Sequence, residues 1–159
     1  MKSVILFFSI LYSLSVYSQE KPSYPEPEKG MKRVDLKLPK IENDKEYKVE
    51  IRFGIEMNIS ECSDINDFSF NIKNLEKRYG ISPSRFPYYV LPKEIPTEVL
   101  TFYKSNCDKT KTVKKKVLSS QNILQEYNGH ISIPFYIPKD WTLEYRLWKV
   151  NSEFKNAEL

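Results

Sequence analysis

The sequence predicts an all-β domain, an antiparallel sandwich or barrel of about seven or eight strands. Three observations point there. Aromatic residues make up 14% of the 159-residue chain, with 11 Tyr and 9 Phe, and such side chains suit a pleated, half-buried surface. Pro is frequent, at 10, while Gly numbers 4 and Ala157 is the single alanine, a composition poor in helix formers. Short stretches of alternating polarity recur between turn signals, and no segment carries a sustained helical period with caps. The length fits one domain, and 40% hydrophobic against 29% charged residues gives enough apolar material for a core.

The elements follow in order. Met1-Lys2, the apolar run Ser3 to Val16, and Val16-Tyr17-Ser18 form the pattern of a secretory signal, with cleavage expected after Ser18. The competing reading is a membrane anchor, but the run is shorter than the roughly 20 residues a span needs, and Gln19-Glu20-Lys21 follows at once. No cysteine stands at the cleavage point to take a lipid. Residues 19–30, with three prolines and mixed charge, are expected to form an extended arm. Residues 31–159 are then the β domain.

Val34 to Leu38 alternates and reads as a strand; Ile41 to Lys45 reads as a turn. Tyr47 to Phe53 is the clearest period-two run, with a bulge or bend expected at Gly54 and the sheet continuing through Ile55 to Ile59. Phe68 to Ile72 alternates again, and Arg78 to Pro87 is expected to be a long exposed loop. Tyr88 to Leu91 reads as a short strand, and Pro92 to Asn106 as a further loop. A strand is expected through Val113 to Leu118. Asn128-Gly129 is a turn before Ile131 to Ile137, where Pro134 argues for a sheet edge or a bulge. After Pro138-Lys139-Asp140 turns the chain, Leu143 to Val150 is the last strand. It carries apolar residues on both faces, Leu143, Tyr145 and Leu147 on one and Trp148 and Val150 on the other, as expected of a strand covered twice.

Several chemistries find no support. There is no GxGxxG, GxxxxGK[ST] or GxSxG string. One histidine, His130, and two cysteines cannot build a common zinc site, and no cofactor or metal is expected. Outside a reducing cytosol Cys62 and Cys107 are expected to pair, which leaves no thiolate for a Cys–His nucleophile. Closing that loop is worth roughly 4 kcal/mol. A carboxylate pair for glycoside chemistry is not singled out by any spacing. A net charge of +4 is weak for a nucleic-acid binder. Lys109, Lys111, Lys114, Lys115 and Lys116 form a basic stretch that reads either as a polyanion-binding patch or, more simply, as a solvated strand kept soluble by its charges. Asn58-Ile59-Ser60 is a glycosylation sequon, relevant only in a eukaryotic secretory pathway.

Thr101 to Cys107 is the most suggestive segment. An exposed loop tied at one end by a disulfide, with Lys104 three residues before Cys107, is a physical recipe for a substrate-like protease inhibitor. Such a loop must be extended so that a protease can add backbone hydrogen bonds, and stiff so that little ordering is lost on docking. Taken alone, a lysine before a cysteine is common and leaves the question open.

Strings spread along the chain sharpen it. Tyr24 to Arg33 (YPEPEKGMKR), Tyr88-Tyr89-Val90, the positions of Cys62 and Cys107, Tyr127-Asn128, Tyr136-Ile137-Pro138 and Tyr145 to Lys149 (YRLWK) occur in order at compatible spacing. In these the sequence resembles the ecotin family, periplasmic dimeric inhibitors of serine proteases. The resemblance implies an ecotin-like fold, no enzymatic activity and a periplasmic location. It implies that Lys104 fills the specificity pocket and that Lys104–Ser105 is the reactive bond. Thr101, Phe102, Tyr103 and Asn106 would line the protease cleft, with Ser63, Asp64, Ile65 and Asn66 as the supporting loop. The implied partners are chymotrypsin-fold proteases, trypsin-like ones above all, because a buried lysine finds a carboxylate there. A homodimer through the C-terminal strand is implied too, with Trp148 as its anchor. Distal protease contacts would come from Arg78 to Pro87 and from Glu126 to Ile131. The stretches from Cys62 to Tyr88 and from Val90 to Cys107 are longer than in the family pattern. The alternative function is a secreted β-sandwich of the same kind that binds a ligand without inhibiting.

Overall fold

The computed structural model describes residues 23–81 and 85–157. The signal segment and the start of the arm lie outside the described residues, as does the centre of the expected Arg78 to Pro87 loop. Eleven strands follow one another: β1 (Met31–Leu36), β2 (Tyr47–Ser60), β3 (Ser63–Asp64), β4 (Asp67–Phe70), β5 (Glu76–Tyr79), β6 (Pro87–Val90), β7 (Thr97–Val99), β8 (Phe102–Tyr103), β9 (Thr112–Glu126), β10 (Ile133–Pro138) and β11 (Trp141–Lys149). The all-β class holds, but the strands outnumber the expected seven or eight. The surplus comes from β3, β7 and β8, of two or three residues each, too short to show a period.

Two sheets make the body, one in the order β1-β10-β6-β5 and the other in the order β11-β2-β9-β4-β7; β3 and β8 form a separate pair. The sheets are mixed, not purely antiparallel, since β10 runs parallel to β6 and β4 parallel to β9. Their inner faces share one core. Val49, Ile51, Phe53 and Ile55 of β2, Phe68 and Phe70 of β4 and Trp141 of β11 meet Leu36 of β1 and Ile133, Phe135 and Ile137 of β10. Phe53 stands at the centre, edge-on to Phe70 at 5.6 Å, Trp141 at 6.0 Å and Phe135 at 6.3 Å. Edge-to-face geometry lets ring edges meet ring faces, so these core aromatics pack favourably.

Local details correct the reading from sequence. The irregularity expected at Gly54 lies beside it and on the other strand: Arg52 faces Asn122 and Gly54 faces Leu118, so three residues of β9 span the place of one in β2. Gly54 is needed for close approach, because a Cβ there would sit 2.5 Å from Thr142 Oγ1. Pro134 is not on an edge strand, since β10 lies between β1 and β6. Only Phe135 and Tyr136 pair with β6, however, so Pro134 has a single registered partner, Asp35. Arg78 and Tyr79 belong to β5 and not to a loop. The described part of the arm is anchored: Tyr24 packs edge-on against Tyr88 at 5.8 Å, Tyr136 donates its hydroxyl to the Pro25 carbonyl, and Ser23 bridges to Ile81.

Candidate functional site

β2 carries the chain to Ser60 and a tight turn returns it. The Glu61 N–H donates to the Lys111 carbonyl at 2.9 Å and the Cys62 N–H to Ser60 Oγ at 3.2 Å. This leaves Cys62 fully buried at the head of β3. β3 then pairs with β8, Ser63 opposite Tyr103 and Asp64 opposite Phe102. The ladder extends one step further, for the Lys104 N–H donates to the Cys62 carbonyl at 2.9 Å. Three residues later Cys107 forms a disulfide with the same Cys62, with the two Cα atoms 5.7 Å apart.

Both ends of the segment Lys104 to Cys107 are therefore fastened to one buried residue, one end by a backbone hydrogen bond and the other by sulfur. The span between them is open. Lys104, Ser105 and Asn106 are exposed, as are Phe102 and Tyr103, while Thr101 is half-buried. Asn106 turns the chain in the left-handed region (φ 59°), which asparagine tolerates better than most side chains. Beyond the disulfide, Asp108 accepts from the Thr110 N–H at 3.0 Å and from the Thr110 hydroxyl at 2.6 Å. The hydroxyl first, then the backbone N–H, hold its carboxyl below the usual range.

Of the expected supporting loop, Ser63 and Asp64 lie against β8. Ile65 is buried in the core, and its carbonyl accepts from Lys115 Nζ at 3.2 Å; Asn66 is exposed. The lysine stretch is largely occupied. Lys114 pairs with Glu56 at 2.6 Å and Lys116 with Glu144, and the Lys114 hydrogen bond holds the Glu56 carboxyl below its ordinary value. β4 pairs with β9 only at Leu118 and Ser119, so among the described residues the lysine-bearing half of β9 has no strand on its second side.

Trp148 is not near this loop. It sits opposite Lys48 at the far end of the ladder, roughly 40 Å along β2 from Ser60 at about 3.3 Å per residue. There the sequence reading missed Glu50. Glu50 is only 5% exposed, yet it accepts from Arg146 Nε at 2.6 Å, Trp148 Nε1 at 2.6 Å and Asn122 Nδ2 at 2.9 Å. The Arg146 hydrogen bond above all holds its carboxyl below the usual range, against the opposing effect of burial. Arg146 also lies 4.6 Å from the centre of the Trp148 ring. Arg52, two residues along the strand, reaches Glu50 at 3.5 Å, but the closer partners are 72 to 98 residues away and left no local signal.

The ecotin family model matches residues 20–150. The chain is 28% identical over 136 residues to the ecotin of Serratia proteamaculans, covering 85% of this chain and 75% of that protein. It is 30% identical over 140 residues to the ecotin of Pseudomonas fluorescens, covering 87% and 83%. To the ecotin of Yersinia pestis it is 27% identical over 173 aligned positions, covering 99% and 98%. With the family match running through both sheets and the disulfide-pinned loop alike, the chain belongs to the ecotin family.

Proposed function

We propose that this protein inhibits chymotrypsin-fold serine proteases by presenting the Lys104–Ser105 bond as a substrate that is bound and seldom released as product. The observation that carries this is the double fastening of Lys104 and Cys107 to Cys62. A protease serine that attacks the Lys104 carbonyl forms an acyl-enzyme and frees the Ser105 amine. In an ordinary substrate that amine diffuses away and water completes hydrolysis. Here the disulfide keeps the amine beside the acyl group at high effective concentration, so the peptide bond re-forms. The extended β8 segment is already shaped to pair with a protease strand, and little ordering is lost on docking.

Lys104 directs the choice of enzyme towards trypsin-like proteases, whose primary pocket ends in a carboxylate. Ser63 and Asp64 hold β8 in register, and Thr101 and Asn106 flank the contact. The protein is exported, its leader cut after Ser18, to a periplasmic or similar oxidising space where the disulfide persists. It acts as a homodimer through its C-terminal strand. Among the described residues β11 has a free edge, and Tyr145 and Trp148 on it and Val150 just after it are about half exposed, apolar area suited to a second copy.

Titration against active-site-calibrated trypsin tests the proposal. Inhibition saturating near one active site per chain is expected. Lys104→Asp is expected to weaken it at least a hundredfold, because a carboxylate would be buried against the pocket carboxylate. Unchanged inhibition by Lys104→Asp would place the reactive bond elsewhere.

A further inference from the structure

The residue before Lys104 is a tyrosine, and the structure treats it unlike its neighbours. β8 is extended, so successive side chains point to opposite faces, and Tyr103 is turned away from both Phe102 and Lys104. It is 61% exposed, but it is not left alone: Lys109 Nζ stands 5.3 Å from the centre of its ring. Lys109 lies within the turn that Asp108 closes on Thr110, just past the disulfide. A cation placed over the ring by a braced turn favours one ring orientation.

Apolar surface accompanies it. Leu100 is 67% exposed and Phe102 55%, so three large side chains within four positions stand in water next to the reactive bond. Phe102 falls on the face opposite Tyr103, so the loop shows apolar surface on both faces. Tyrosine held in advance offers wide contact area at small entropic cost.

We propose that Tyr103 is a specificity-determining residue and that the partner is a trypsin-like protease whose second subsite is open enough to take an aromatic ring. Lys104 alone would fit any protease with an acidic primary pocket. Tyr103 divides that group, since a subsite roofed by an insertion admits only small side chains and meets the ring as a clash. Lys109 is a positioning residue acting through Tyr103. This inference rests on the inhibitor reading above.

The test compares trypsin, with an open second subsite, and thrombin, whose second subsite is roofed, using inhibition constants for the full-length secreted protein and its variants. Wild type is expected to favour trypsin by about a hundredfold or more. Tyr103→Ala is expected to weaken trypsin inhibition about tenfold and to tighten thrombin inhibition, while Tyr103→Phe keeps the wild-type ratio. Lys109→Gln is expected to weaken trypsin inhibition about threefold in the wild type and not at all in a Tyr103→Ala background. If Tyr103→Ala changes both constants by the same factor, the ring merely stiffens the loop and the inference is overturned. Equal effects of Lys109→Gln in both backgrounds would remove the positioning role. Absence of trypsin inhibition in wild type, or inhibition indifferent to Lys104→Asp, would instead bring down the inhibitor reading itself.

Discussion

The two ends of β2 are built on opposite plans. At the Ser60 end the backbone is tied down while the side chains are left free. Cys62 fixes Lys104 and Cys107, and Leu100, Phe102, Tyr103 and Lys104 face water. At the Lys48 end the side chains satisfy one another around Glu50, and three donors converge on a carboxylate that is nearly sealed from solvent. The contrast teaches where each kind of demand lies. A group meant for a partner is presented on a rigid backbone with its own bonding capacity unspent; a group meant for the fold has its capacity used up internally.

Removing the fastening should have the largest effect. The double variant Cys62→Ser, Cys107→Ser is expected to lose roughly 4 kcal/mol of stability in denaturant titration. It should also change from inhibitor to substrate, digested by trypsin at the loop within the time in which wild type persists. Equal persistence of the two proteins would break the comparison at its first end.

At the other end, Glu50→Ala should cost about 2–3 kcal/mol by the same titration, because charged hydrogen bonds are lost and Arg146 is left without its partner. Glu50 is far from Lys104 but holds Trp148 on the strand proposed to dimerise, so loss of trypsin inhibition should track loss of the dimer in gel filtration. The pH dependence follows from the sign of the shift. The folded-state pKa of Glu50 lies below its unfolded value, so its stabilisation is complete above the ordinary carboxylate range and is lost as pH falls through that range towards the folded pKa. Urea midpoints of wild type should therefore drop on acidification more steeply than those of Glu50→Gln; parallel curves would show that Glu50 carries no such linkage.

The same asymmetry explains what could be read from the sequence. Tyr47 to Phe53 was legible because one face of β2 is core and the other is not, and that difference writes a period of two. β3 and β8 were not, since two residues carry no period and their pairing is imposed by a disulfide 45 residues long in sequence. The parallel pairs β10–β6 and β4–β9 are set by packing between distant segments, which no local pattern encodes. The Cys62–Cys107 disulfide was legible, from the presence of two cysteines in a chain with a leader-like start and from the family strings. Glu50 looked like any outward-facing charge, because the residues that bury it come from β9 and β11.

The smallest effect sharpens the loop end. Asn106→Ala is expected to cost about 1 kcal/mol, since alanine resists the left-handed backbone that Asn106 adopts, and Asn106→Gly should cost less. Thermal melts of the two variants check the order; the reverse order would mean that the turn differs in solution.

The central claim is that Lys104–Ser105 is cut and resealed between two points of one anchor. Mass spectrometry of the protein held with catalytic amounts of trypsin measures this directly. The account predicts a slow approach to a fixed mixture of intact chain and chain cleaved at Lys104–Ser105 alone, with the purified cleaved form still inhibiting and regenerating intact chain when trypsin is added. Continued digestion to completion, or a first cut at another bond, would contradict it.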